Sequence, residues 1–275
     1  MTDQIQQATV RPGGEAGANA APVIELIDVY KSFGRLEVLR GVDLVLHPRE
    51  TTVIIGESGV GKSVVLKHIV GLLRPDRGEV RYHGRSIGEM NAGELARLRM
   101  NFGFLFQLGA LFDSLTVAEN VGFPLVEQGR RSRAEIERVV TEKLRMVGLD
   151  GIQSKRPADL SGGQRKRVAL ARAIALDPEI ILYDEPTTGL DPVRADVINE
   201  LILKLRREID ATGIVVTHDM ASANKVADRI LMLHEGKFIF DGTSREIAEA
   251  GDERIRRFIE GRASEKDLRS LRQES

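Results

Sequence analysis

The chain has 275 residues, 42% hydrophobic and 29% charged, with 40 Lys and Arg against 41 Asp and Glu and a formal net charge of -1. That composition belongs to a folded globular protein of one large or two modest domains, and the charge balance argues against a nucleic-acid partner, because binding phosphates draws on a basic excess. With no cysteine, disulfides, thiolate zinc sites and a thiol nucleophile are excluded.

Residues 1–22 are rich in Gln, Gly and Ala, contain no apolar run of signal-peptide length, and are expected to form a disordered leader. The longest apolar stretch downstream, Phe102 to Phe112, is short and interrupted by Gln107. No membrane span is expected, and a cytoplasmic chain follows as the expectation. Strand patterns come first: Val23–Val29, Val42–Leu46 and the solid apolar Thr52–Ile55, which stops at Gly56. A helix is expected from about Gly61 to Leu73, ended by Pro75 and Gly78. Further strands are expected at Val80–His83, Phe102–Phe106, Ile180–Tyr183, Ile214–Thr217, Ile230–His234 and Phe238–Phe240, with helices between them. Ser132 to Val147 repeats apolar residues at Ile136, Val139, Val140, Leu144 and Val147, with Gly148 as a stop. Residues 108–169, approximately, read as a helical insert in a mainly parallel α/β core covered on both faces.

Three motifs carry chemistry. Gly56-Glu57-Ser58-Gly59-Val60-Gly61-Lys62-Ser63 fits the phosphate-loop pattern between a strand and a helix. Its glycines let successive N–H groups and the helix N-terminus face phosphate oxygens, with Lys62 on the β- and γ-phosphates and the Ser63 hydroxyl on Mg²⁺. Ile180 to Glu185 is an apolar strand ending in two carboxylates: Asp184 suits the Mg²⁺ shell, and Glu185 can orient or deprotonate an attacking water. Leu160-Ser161-Gly162-Gly163-Gln164 opens a helical run, Arg165 to Leu176, and is a second phosphate-binding element. Arg165, Lys166 and Arg167 read as a solvated face. His47, His68, His83 and His234 lack metal-ligand spacing and read as structural.

Together these motifs resemble the nucleotide-binding subunits of ATP-binding cassette (ABC) transporters over roughly Val23 to Gly242. The resemblance implies a RecA-like P-loop NTPase core with an N-terminal antiparallel β subdomain and an inserted α-helical subdomain. It implies ATP and Mg²⁺ as ligands and divides the chain into an ATPase domain, 23–243, and a helical extension, 244–275. Phe33 falls where an aromatic stacks on adenine, with Tyr30 close enough to compete. Gln107 matches the glutamine that contacts Mg²⁺ and senses the transporter, Gly189-Leu190-Asp191 the loop crossing the dimer interface, and His218 the histidine on the γ-phosphate. Val64-Val65 follow Ser63 where Thr-Leu is frequent. A second copy would pack head to tail, so that Ser161, Gly162, Gly163 and Gln164 of one chain cap the ATP held by Lys62 of the other.

The run Gln107-Leu108-Gly109-Ala110-Leu111-Phe112-Asp113-Ser114-Leu115-Thr116-Val117 is similar to MlaF-type ATPases of MCE phospholipid transport systems. That resemblance implies an integral membrane permease (MlaE-like) and a periplasmic MCE-domain protein (MlaD-like), and leaves room for a small STAS-type cytoplasmic subunit. Location would be peripheral, on the cytoplasmic face of a bacterial inner membrane. Another transported substrate, or a force-transmitting cassette of the cell-division type, stays open. In the tail, Ile255, Phe258 and Ile259 share a helical face, which either docks on its own domain or packs on the second subunit.

Overall fold

The computed structural model describes residues 20–263. The expected leader, apart from its last three residues, and the end of the tail lie outside the described residues.

Two sheets form the frame. β1 (Ile24–Phe33) and β2 (Leu36–Leu46) make a long hairpin, and β4 (Arg77–Tyr82) and β5 (Arg85–Ser86) extend it into an antiparallel sheet of order β2-β1-β4-β5. Both hairpin strands are longer than the expected Val23–Val29 and Val42–Leu46. The register shifts between Leu26 and Val29, where Asp28 has a φ of 49° and its N–H donates to Asp43 Oδ1 at 2.8 Å. Such a bulge breaks the period of two, so alternation fails as a guide past Val29.

The second sheet has the order β10-β9-β3-β8-β7-β6, built from β3 (Thr51–Ile55), β6 (Phe102–Leu105), β7 (Ile180–Asp184), β8 (Thr212–Thr217), β9 (Arg229–His234) and β10 (Lys237–Gly242). Every neighbouring pair is parallel except β9 and β10. Parallel strands need covering on both faces, which is why these read as unbroken apolar runs. Side chains alternate between two cores: Val53, Ile55, Ile181, Tyr183, Val215 and Met232 enter one, Ile54, Leu182, Ile214, Val216 and Leu231 the other.

Against the second core lie the antiparallel sheet and α1 (Lys62–Ile69). Against the first lie α3 (Val117–Gln128), α4 (Arg133–Met146), α5 (Gly162–Ala173) and α6 (Pro192–Ile209). α2 (Ala92–Arg99) follows β5; α7 (Met220–Val226) joins β8 to β9; α8 (Ser244–Ala248) and α9 (Glu253–Ile259) close the described chain. Ile255 is buried, and Phe258 and Ile259 pack on the chain's own core.

Thr116 and Ser132 each cap a helix through a reciprocal box with Glu119 and Glu135, each cap contributing about 1 kcal/mol. Two helices end earlier than expected. α1 stops at Ile69, because the turn after it bonds back to Lys67 and His68 with Gly71 at a φ of 65°. α5 stops at Ala173, followed by a turn in which Asp177 has a φ of 50° and takes a 2.5 Å ion pair from the buried Lys143.

Candidate functional site

Strand register assembles the site. β8 lies between β3 and β7, with Ile55 opposite Thr217 and Asp184 opposite Val216. The residues that follow each strand therefore emerge side by side at one edge: the loop from Gly56, the pair Asp184-Glu185, and His218. This is the C-terminal edge of a parallel sheet, where ligands of α/β proteins gather.

The loop from Gly56 to Gly61 is shaped for an anion. A Cβ on Gly56, which has a φ of 151°, would meet the Leu233 carbonyl oxygen at 2.3 Å, and one on Gly61, at 108°, would meet Val38 at 2.8 Å. Neither position admits a side chain. Of the nine α-helices among the described residues, α1 alone has no side-chain cap at its N-terminus, and no acidic residue occupies its first turn. Its unpaired N–H groups and positive dipole end fit phosphate oxygens. Glu57, Ser58 and Gly59 form the exposed crest; Val60 and Val64 pack inward on the core.

Lys62 is 6% exposed and donates to the carbonyls of Gly56 at 2.7 Å and Glu57 at 2.8 Å. Burial lowers its pKa, with the carboxylates of Glu185, Asp184 and Glu57 pulling it back up. Its ammonium lies 3.9 Å from Glu185 Oε1. Ser63 donates its hydroxyl to Asp184 Oδ1 at 3.1 Å. Burial raises the Asp184 pKa, opposed chiefly by that hydrogen bond. One hydroxyl beside one carboxylate suits Mg²⁺, which takes few protein ligands and completes its shell with phosphates and water.

Glu185 sits in the left-handed region at a φ of 48°, and its N–H bonds across to the Val216 carbonyl at 2.8 Å. Its Oε2 lies 2.9 Å from His218 Nδ1 and accepts from Thr188 Oγ1 at 3.2 Å and Thr217 Oγ1 at 3.4 Å. The two threonines were not anticipated in the sequence; their only signal is position, one ending a strand and one following Glu185-Pro186-Thr187. His218 remains half exposed beside a nearly buried carboxylate.

Other expected site residues stand apart from this cluster. Phe33 ends β1 and is 47% exposed, with the Lys31 ammonium 5.7 Å from its ring centroid. Tyr30, its competitor, is half-buried beneath the Arg77 guanidinium at 4.8 Å, so Phe33 is the aromatic left open. Gln107 is exposed beyond β6. Ser161 caps α5 by accepting from the Gln164 N–H, while the Gln164 side chain accepts from the Ser161 N–H at 3.0 Å. Cβ positions on Gly162 and Gly163 would face Leu190 and Arg194, and Asp191 caps α6. Among the described residues, no hydrogen bond or ion pair joins Ser161–Gln164 to the loop at Gly56–Ser63.

One expectation fails in part. Arg165 is exposed as expected, bonding to the Leu160 carbonyl at 2.7 Å, but Arg167 is half-buried and bonds to the Gly148 carbonyl at 3.1 Å, and Lys166 is buried. Their opposition to the helix dipole is relieved by backbone oxygens. The missed signal lies in the apolar stripe, since Lys166 precedes Ala169 and Leu170 by three and four residues.

A second feature borders the site. Phe102, Phe104, Phe106, Ala110, Phe112 and Phe123 line an open groove of about 460 Å³, and Leu108 beside it is 89% exposed. Asn120, fully buried, shapes the loop between them: its amide donates to the carbonyls of Phe112, Leu115 and Thr116 and accepts from the Phe112 N–H. Arg172 holds the carbonyls of Gly109 and Ala110 at 2.8 Å each. The loop is thus fixed from within while its apolar side chains face outward.

A family model described as "ABC transporter" matches residues 39–188. "Probable ribonucleotide transport ATP-binding protein mkl" of Mycobacterium leprae is 41% identical over 270 residues, covering 96% of this chain and 78% of that one. "Intermembrane phospholipid transport system ATP-binding protein MlaF" of Haemophilus influenzae is 38% identical over 239 residues, covering 87% and 90%. A dimeric ATP-binding cassette in a post-hydrolysis state, bound to ADP and Pi, superposes with a TM-score of 0.74 at 36% identity, covering 81% of this chain and 99% of that one.

Proposed function

The chain belongs to the ABC transporter ATPase family, and from that premise we propose that it powers phospholipid movement between membranes as one half of a head-to-tail dimer. ATP is its substrate. Phosphates would rest on the loop Gly56–Gly61 and the open N-terminus of α1, with Lys62 exchanging its carbonyl partners for phosphate oxygens. Ser63 and Asp184 would hold Mg²⁺, which neutralises charge on the phosphates when bound; Gln107 would reach it from the groove side. Glu185, steadied by Thr188, Thr217 and His218, orients and deprotonates the attacking water. Phe33 stacks on adenine. Among the described residues no hydrogen bond or ion pair joins Ser161, Gly162, Gly163 or Gln164 to the loop Gly56–Ser63 of their own chain, which supports their service to the second copy, with Asp191 in the crossing loop.

The apolar groove supports docking of a membrane permease. Its rigid floor and outward phenylalanines are what a helix end from a partner requires, and Gln107, which follows Phe106 of the groove, would link it to the ATP site. Among the described residues no helix is long and apolar enough to cross a membrane, so transport needs such a partner. We place the chain on the cytoplasmic face of an inner membrane, with an MCE-domain protein and a STAS-type subunit in the assembly. The observation carrying the lipid reading is the match to the MlaF protein over 90% of its length. The name of the mycobacterial relative favours ribonucleotides instead. Trapping Glu185→Gln with ATP, solubilising membranes gently and identifying co-purifying molecules by mass spectrometry separates the two. A permease with an MCE protein and phospholipid supports the first; a permease with ribonucleotide and no lipid supports the second.

A further inference from the structure

One turn into α5, Lys166 points inward and is only 7% exposed. Its ammonium donates to the carbonyl oxygens of Pro186 at 2.6 Å and Thr188 at 2.7 Å, and reaches that of Glu185 at 3.4 Å. An ammonium has three donors, and three carbonyls of one tight turn converge on it. Among the described residues no carboxylate forms an ion pair with it. Burial pushes its pKa down to about 8, with the Glu185 charge pulling the other way. A lone buried cation is costly unless its donors are satisfied, and these are satisfied by backbone alone.

The turn it holds is the one that bears Glu185. At a φ of 48° for Glu185, that turn does not rest in this shape unaided. Thr188, whose carbonyl Lys166 holds, donates its hydroxyl to the Glu185 carboxylate at 3.2 Å. A connected set of contacts therefore runs from the Ser161 cap along α5, through the ammonium, to Glu185.

We propose that Lys166 is a positioning residue for ATP hydrolysis: it locks the turn bearing Glu185 to the helix that opens with Ser161, and so couples the two ATP sites of the dimer. This rests on the head-to-tail pairing above. There, Glu185 serves the ATP held by Lys62 of its own chain, while Ser161 faces the ATP held by the partner. A shift of α5 as the dimer closes on one nucleotide reaches the carboxylate at the other through Lys166.

The test compares Lys166→Met, Lys166→Gln and Lys166→Arg in the full chain. Turnover is measured against ATP concentration, and each substitution is also combined with Glu185→Gln to follow ATP-driven dimerisation by sedimentation velocity. Lys166→Met is expected to lower kcat by about tenfold to a hundredfold, the loss that misplacing a catalytic group produces. Its KM and its dimerisation should stay within about threefold of the parent, since the loop and the Ser161 cap are untouched. Lys166→Arg keeps the charge and its donors but not the compact ammonium, and should lose less kcat than Lys166→Met. Lys166→Gln keeps two donors and should fall between, which preserves the test if the Met variant does not fold. A kcat for Lys166→Met, or for Lys166→Gln where only that variant folds, within about threefold of wild type overturns the proposal. Parallel loss of turnover and dimerisation, equal in the Arg variant, overturns it too by marking a general packing defect. Failure of Glu185→Gln alone to dimerise with ATP would overturn the cross-site coupling along with the head-to-tail reading.

Discussion

Two cation–carboxylate pairs share the six-stranded sheet and differ in every other respect. Arg229 of β9 and Asp241 of β10 are both nearly buried and joined by two hydrogen bonds of 2.6 and 2.5 Å, with a third from the guanidinium to the Val45 carbonyl at 2.7 Å. Burial works against the Arg229 charge, but the bonds to Asp241 outweigh it and the pKa rises. Lys62 and Glu185, at the strand ends, stand 3.9 Å apart, and burial wins over attraction in lowering the Lys62 pKa. The first pair is complete within the chain. The second is looser: Lys62 donates to backbone carbonyls and Glu185 leans on His218, Thr188 and Thr217, so neither is saturated by the other. The same two charges thus serve stability where they satisfy each other and chemistry where they do not.

That contrast can be broken from either side. The largest effect is expected at the complete pair: Arg229→Met leaves Asp241 buried and unpartnered, and should cost about 3–5 kcal/mol of stability in denaturant unfolding. A loss under about 1 kcal/mol would show that water compensates and that the pair is not structural. Next is the pH dependence of Lys166. Between pH 8 and its ordinary 10.5, the folded chain sheds a proton that the unfolded chain keeps, so stability rises with pH. Comparing wild type with Lys166→Met across that window should show a relative gain of up to about 3 kcal/mol for wild type. A flat difference would mean the ammonium is not penalised by burial. Lys62→Ala is expected to weaken ATP binding roughly tenfold to a hundredfold by calorimetry, the loss of charge-assisted bonds, with stability unchanged within about 1 kcal/mol. Smallest is Leu108→Ser in the groove loop, which should alter stability by no more than about 0.5 kcal/mol and leave the free chain's turnover intact, while abolishing co-purification with a permease.

Much of this was legible in the chain itself. Thr52–Ile55 and Ile180–Tyr183 could be placed because strands buried on both faces need unbroken apolar residues, and the loop at Gly56 because no other residue fits there. The hairpin β1–β2 was read short, since the bulge at Asp28 resets the alternation on which strand reading depends. α1 was read past Gly71, whose left-handed turn ends it, in favour of the later Pro75 and Gly78, and α5 was read long because its end is set by a turn bonding backward with no proline or glycine to mark it. Thr217 escaped because only the β7–β8 register brings it to Glu185, and Thr188 because the turn that folds it back three residues on is set by the left-handed φ at Glu185. Lys166 was misread because charge in a helix usually marks solvent, and nothing local announces three converging carbonyls 19 to 22 residues along the chain.

The central claim is that the Glu185 carboxylate at the strand end exists for hydrolysis and not for stability. The most direct measurement is ATP binding, ATP turnover and denaturant unfolding of Glu185→Gln against wild type. The account predicts retained binding, turnover reduced by about 10² or more, and stability within about 1 kcal/mol. Turnover within about threefold of wild type, or stability lost in proportion to turnover, would contradict it.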